Sequence, residues 1–320
     1  MNKIGLYLLF ALEGLLALWS VAALSVCLPA AVYPSIWAGS AAFYYLLTAL
    51  LMHPCRRCLL AWALAICMVG AWYLSLQPRM SATWSDDVAR LPHSQIEGDL
   101  VTVFDVRNFN YRSETEYDIA YDNRSYRLRD LQSVDLFVSY WGSPHIAHTV
   151  LSFSFSSGSP LAFSVETRKV RGQQYSALKG FFRTFELIYI AADERDVIRL
   201  RTNYRKEEVY RYRLRPTPEQ MRALLLTYLG RLNSIYRQPE FYNALTSNCT
   251  TNIFFDMKSI NPLLRFDWRM LANGHLDELL YERQHASADI SLTQFRERAH
   301  INSRAQAADA DPQFSARIRQ

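Results

Sequence analysis

Cysteine is almost missing from the last three-quarters of this chain. Of five cysteines in 320 residues, Cys27, Cys55, Cys58 and Cys67 fall in the first quarter, and Cys249 stands alone after them. Cys249 therefore has no partner nearby, which excludes a disulfide-stapled domain. Charge is nearly missing from the opposite end. Between Met1 and Gln77 the formal charges are Lys3, Glu13, Arg56 and Arg57. Long Lys/Arg runs are missing throughout, and the net charge is only +5, from 35 basic and 30 acidic residues. A nucleic-acid partner is not expected from that balance.

What the first part does have is apolar length. Ile4–Leu28, Trp37–Met52 and Leu59–Leu76 read as three membrane spans, each near the ~20 residues a bilayer needs. A cleaved signal peptide fits the first run less well, because the run exceeds an h-region and Leu28-Pro29 offers no small-residue cleavage site. Lys3 and the Arg56-Arg57 pair would face the cytoplasm, leaving everything after Gln77 outside it. The expectation is a multi-pass protein of the bacterial inner membrane with its main domain on the periplasmic side. Cys55 and Cys58 form a lone CxxC, a weak metal or redox signal with only His53 beside it.

Residues 78–99 read as a polar linker and 100–282 as a folded domain. Leu100–Val106, Asp135–Tyr140, Ala147–Phe155, Leu161–Arg168, Phe185–Ala191 and Val209–Leu214 carry strand patterns, with SSGSP turning a hairpin between the third and fourth. Val197–Tyr204 is a further candidate strand. Pro218–Tyr236 switches to helical spacing, at Met221, Leu224, Leu225, Tyr228, Leu229 and Leu232. Strands first and helices later imply an α+β domain with an antiparallel sheet. Residues 283–320 are polar and read as a partly helical or disordered tail without chemistry.

Cys249 is the candidate nucleophile. Asn248 or Ser247 can cap a helix with apolar positions at Ile253, Phe254, Met257 and Ile260, which puts the thiol in the first turn, where a thiolate is favoured. A buried structural cysteine is the plainer reading, but an unpaired thiol outside the cytoplasm meets oxidants. A nucleophilic thiol needs a base. His148 lies in phase with Val150, Ser152 and Ser154, opposite the apolar phase of Leu151, Phe153 and Phe155, and is the candidate. His145 reads as a supporting or surface residue, and His275, after Asn273-Gly274, as an exposed loop. If SSGSP pairs Phe155 with Leu161, Glu166 becomes a diagonal neighbour of His148 on the same face and can orient it. A one-residue slip would remove it from that face. The Cys249 N–H with Asn248 or Tyr140 would supply an oxyanion site. No cofactor or metal is expected.

Three stretches carry a resemblance: SVDLFVSYWGSPHIAHTVLSF, FSVETRKVRGQQYSALKGFFRTFELIYIAADERDVIRLRTNYR and FYNALTSNCTTNIF. Over roughly Asp99 to Asn273 the chain resembles the Lnb N-terminal periplasmic domain family, with the His-before-Cys order of the permuted NlpC/P60-like thiol fold. The resemblance implies a papain-like α+β fold and a Cys–His acyltransferase. Cys249 would take an acyl chain from membrane phospholipid as a thioester and pass it to an amine, such as a lipoprotein N-terminus. The family's domain precedes its membrane spans, whereas here the apolar runs come first. The alternatives are a Cys-dependent amidase or peptidase acting on cell wall or lipid, and a non-catalytic membrane scaffold.

Overall fold

The computed structural model describes residues 3–28, 36, 39–40, 56–285 and 290–320. They divide into two compact units, Met1–Arg79 with Tyr175–Phe185, and Met80–Gln174 with Glu186–Gln320.

The first unit is helical. α1 (Lys3–Cys27) and α2 (Arg56–Ser75) meet where Trp19 packs edge-on against Tyr73, with ring centroids 5.0 Å apart. The Arg183 guanidinium donates to the carbonyls of Tyr73, Leu74 and Leu76, closing the end of α2 with the cation its dipole favours. The expected bundle of three membrane spans is not supported: among the described residues no helix is long and apolar enough to cross a membrane. The first expected span has the Glu13 carboxylate in its middle, and the second lies almost wholly outside the described residues, as does Cys55. The multi-pass placement in the inner membrane has no support among the described residues.

The second unit is α+β, built on an eight-stranded sheet. Its strands are β1 (His93–Glu97), β2 (Leu100–Arg107), β5 (Tyr121–Arg127), β6 (Leu131–Tyr140), β7 (Ala147–Phe155), β8 (Leu161–Arg168), β9 (Glu186–Ala192) and β10 (Glu208–Arg213), with β3 (Asn110–Tyr111) and β4 (Tyr117–Asp118) forming a separate small pair. The order is β1-β2-β9-β8-β7-β6-β10, and β5 also pairs with β2. The sheet is mixed rather than antiparallel throughout, because β2 and β9 run parallel where Arg107 meets Ala192. β1 falls inside the expected linker. It pairs along its whole length with β2, so residues 78–99 are largely part of the domain.

Strand alternation sorts the core into two layers. Val138, Leu151, Phe153, Phe163, Val165 and Tyr189 point to one face, covered by α4 (Pro218–Arg237) and α5 (Cys249–Ile260). Thr217 and Gln220 cap α4 reciprocally, with Pro218 at its first position. Phe137, Val150, Ala162, Ile188 and Ile190 point to the other face. That face is covered partly by α3 (Glu194–Arg199), which continues into a π turn, Leu200–Tyr204. The segment expected as a strand at Val197–Tyr204 is therefore helical. The Asp193 side chain accepts from Arg195 N and starts α3.

The polar tail completes the cover of the second face. It contains α7 (Leu292–Ala299), α8 (Asn302–Ala307) and α9 (Phe314–Arg317), after α6 (Leu276–His285). Ile301, Ala305, Ala308, Phe314 and Ile318 are fully buried there. Arg319 reaches under the sheet to Glu194 at 2.6 Å and Asp135 at 3.0 Å.

Candidate active site

Cys249 is the first residue of α5. The Asn248 side chain accepts from the N–H groups of Thr250 and Thr251, both at 2.9 Å, and Thr251 Oγ1 accepts from Asn248 N at 3.0 Å. This reciprocal cap fixes the helix start and with it the thiol. Cys249 is buried on the α4–α5 face of the sheet. Its Sγ has two polar neighbours, Thr250 Oγ1 at 3.8 Å and the Asn273 amide Nδ2 at 3.9 Å.

Asn273 ties this corner together. Its Oδ1 accepts from Ala147 N at 2.7 Å, while its Nδ2 donates to Ala147 O at 2.6 Å and Thr250 Oγ1 at 2.8 Å. The next residue is pressed against the start of β7. Gly274 N donates to His145 O at 3.1 Å, and Tyr140 Oη donates to Gly274 O at 2.9 Å. A Cβ at position 274 would lie 2.2 Å from Pro144 O and 2.5 Å from His145 C. Gly274→Ala is expected to push this turn off β7, costing ~1–3 kcal/mol as overpacked sites do. Faster alkylation of Cys249 together with a lowered melting temperature would register it, and an unchanged alkylation rate would refute it.

Two imidazoles meet beside this turn. His145 Nδ1 lies 3.0 Å from His275 Nε2, and His275 Nδ1 lies 3.1 Å from Glu278 Oε1. The hydrogen bond from His275, opposed by burial, holds the Glu278 carboxyl below its ordinary range, so it is an acceptor at neutral pH. The chain of donors then runs one way. His275 donates from Nδ1 to Glu278, His145 donates from Nδ1 to His275 Nε2, and His145 keeps a lone pair on Nε2. His275 is thus a buried-edge partner rather than a free loop residue. An Asn-Gly-His turn signals only its own bend, and nothing local marks a partner 130 residues away.

His148 is elsewhere. Its phase was read correctly, and that phase is the face of Val150, covered by α3 and the tail, whereas Cys249 sits with Ala147 and Leu151 on the other. The expected Cys249–His148 pair is therefore split across the sheet. His148 Nε2 lies 2.7 Å from Ser164 Oγ, and Ser164 Oγ donates to Glu166 Oε1 at 2.7 Å. Glu166 does stand beside His148, at 3.8 Å, but the register differs from that expected: Val150 pairs with Ser164, a shift of two residues that keeps the face. Burial, then the Arg201 guanidinium, push the His148 imidazole down to about 3 against the pull of Glu166. Burial would raise Glu166, yet Arg201 at 2.9 Å, with Arg107 and the hydrogen bond from Ser164 among the further pulls, holds that carboxyl low. His148 is consequently neutral and locked by Ser164.

Farther along α5, Asp256 is buried, and among the described residues its Oδ2 has no hydrogen-bond partner. Burial raises its carboxyl to about 7, against the opposing pull of Arg231. The folded state thus keeps a proton that the unfolded chain releases near pH 4, so stability falls as pH rises from about 4 to about 7 and stays reduced above. Asp256→Asn is expected to stabilise the protein at about pH 8, by at most about 4 kcal/mol, and to change little at about pH 4. Melting curves at the two pH values check this, and an equal shift at both would contradict it.

Fold and site together define an α+β domain with a mixed central sheet and a lone buried thiol at a capped helix start. Residues 117–274 match the Lnb N-terminal periplasmic domain, which places that stretch of the chain in the family. The match spans Tyr140, His145, His148, Glu166, Asn248, Cys249 and Asn273 and ends at Gly274, so His275 and Glu278 lie just past it. The matched region is a periplasmic domain. No curated protein and no solved structure matches the chain.

Proposed function

We propose that the domain is a thiol-dependent acyltransferase. The Cys249 thiolate attacks the ester carbonyl of a phospholipid, the ester C–O bond breaks, and the lysophospholipid leaves with a proton. An amine, such as the N-terminus of a lipoprotein, then attacks the thioester, forming an amide and returning the thiol. The observation that carries this reading is the position of Cys249. It is an unpaired thiol at the first residue of a capped helix, 3.9 Å from an amide donor, Asn273 Nδ2. The Cys249 N–H, at the first position of that helix, is the backbone donor for an oxyanion, and the Asn273 amide, whose two N–H groups are taken by Ala147 O and Thr250 Oγ1, holds the turn beside the thiol. The exposed His145 imidazole, held by His275 and Glu278 beside the turn whose Asn273 reaches the thiol, is assigned the role of base.

Intact mass spectrometry after incubation with phospholipid vesicles tests the reading. Wild-type protein is expected to gain one acyl chain, removable by hydroxylamine, and Cys249→Ser to gain none. Added amine should discharge the adduct as an amide. Discharge as free fatty acid alone would indicate a hydrolase, and absence of any adduct on Cys249 would refute acyl transfer.

A further inference from the structure

α5 leads from Cys249 directly into an unusual stretch of surface. Phe255, Leu263, Phe266, Trp268 and Leu271 are all large, apolar and exposed, Leu263 at 88% and Trp268 at 59%. They are not loose ends of a failed core. Beneath them Phe254, Met270, Leu276 and Leu279 form their own buried cluster, with Phe266 packed edge-on against Phe254 at 5.7 Å and Trp268 against His275 at 5.4 Å. The exposed side chains are carried outward on this small core. Apolar surface concentrated in this way marks an interaction site.

The charges among these residues select the partner. Lys258 and Arg265 are exposed, and among the described residues neither meets a carboxylate; the Lys258 ammonium lies 5.6 Å over the Phe254 ring. The two acidic residues of the segment are not available to oppose them. Asp256 is buried and Asp267 is paired with Arg269. The core of a protein–protein interface is depleted in lysine. Phe, Leu and Trp interleaved with unpaired Lys and Arg are instead the composition of a surface that lies in a bilayer interface and draws on anionic headgroups.

We infer that the 255–271 surface docks on an anionic phospholipid bilayer. The reason for docking rests on the acyl-transfer reading, since it brings the helix that begins with Cys249 to its acyl donor. The docking itself is measured without any chemistry.

Hydrogen–deuterium exchange of the full chain, wild type and Cys249→Ser, is followed with phosphatidylcholine vesicles and with vesicles that also contain phosphatidylglycerol. Peptides over 254–271 are expected to slow their exchange only with the anionic vesicles, equally in both proteins. Leu263→Ser/Trp268→Ser and Lys258→Glu/Arg265→Glu should each weaken that protection at least about tenfold in vesicle concentration. Three outcomes overturn docking: no protection there, equal protection on neutral vesicles, or protection without vesicles that grows with protein concentration, which would assign the surface to a second copy. Protection without any acyl adduct would sustain docking and sink acyl transfer, and an adduct without protection would do the reverse.

Discussion

Cys249→Ala is expected to lower thioester formation below detection at every pH, because no second cysteine is available in the domain to replace it. The histidine variants then discriminate between the two faces of the sheet. His145→Gln should slow acyl loading about 10²-fold or more, the usual contribution of a positioned base. His148→Gln should leave loading within a few-fold and instead lower thermal stability, since its Nε2 is bound by Ser164 beside Glu166 and Arg201. Asn273→Ala should lower thermal stability and slow loading only indirectly, because its amide ties the Ala147 backbone to Thr250 beside the thiol. Loading rates against pH, measured alongside melting temperatures, separate chemistry from folding. Full activity in His145→Gln with loss in His148→Gln would place the base on the opposite face and overturn the assignment of His145.

These residues also show what a sequence can and cannot disclose. β7 and β8 end where alternation and the SSGSP turn put them, and the buried positions of α4 are those its spacing names, because both are local periodicities. Asn248 as the cap of α5 was equally local. The side of the sheet on which α5 packs is not. The phase of His148 was legible, but Cys249 reaches the sheet from a helix about 100 residues later, and no periodicity reports which face it will meet. The tail was misjudged for want of large apolar residues. Yet β8 and β9 are buried nearly throughout, as strands covered on both faces are, so some part of the chain had to provide a second layer. Ile301, Phe314 and Ile318 suffice for it because Arg319 satisfies the buried carboxylates beside them. Val197–Tyr204 misled for a related reason. A short apolar run fits strand or helix alike, and the deciding signal was the cap at Asp193 rather than the run itself.

Asp196→Ala is expected to be the most damaging single change away from the thiol. Asp196 is fully buried and accepts from Arg107 Nη2 at 2.8 Å and Nε at 3.0 Å, from Phe109 N at 2.8 Å and from Tyr111 Oη at 3.2 Å. Removing it leaves the Arg107 guanidinium, itself buried, without a counter-charge and two further donors without an acceptor. Breaking a buried pair in this way costs about 3–5 kcal/mol, a large share of the 5–15 kcal/mol that holds a typical domain together. The comparison that makes the claim testable is Arg112. It pairs with Asp118 and Glu116 at similar distances, but these side chains are at least half exposed, and such pairs contribute ~0–1 kcal/mol. Urea unfolding should therefore move far to lower denaturant for Asp196→Ala and hardly at all for Arg112→Ala. The damage should also have a location. Arg107 ends β2 at its parallel contact with β9, and its carbonyl accepts from Asp193 N at 2.9 Å. Amides of β1, β2 and β5 should accordingly lose exchange protection before those of β7 and β8. Uniform loss across the sheet, or equal effects of the two variants, would show that Asp196 does not hold this corner.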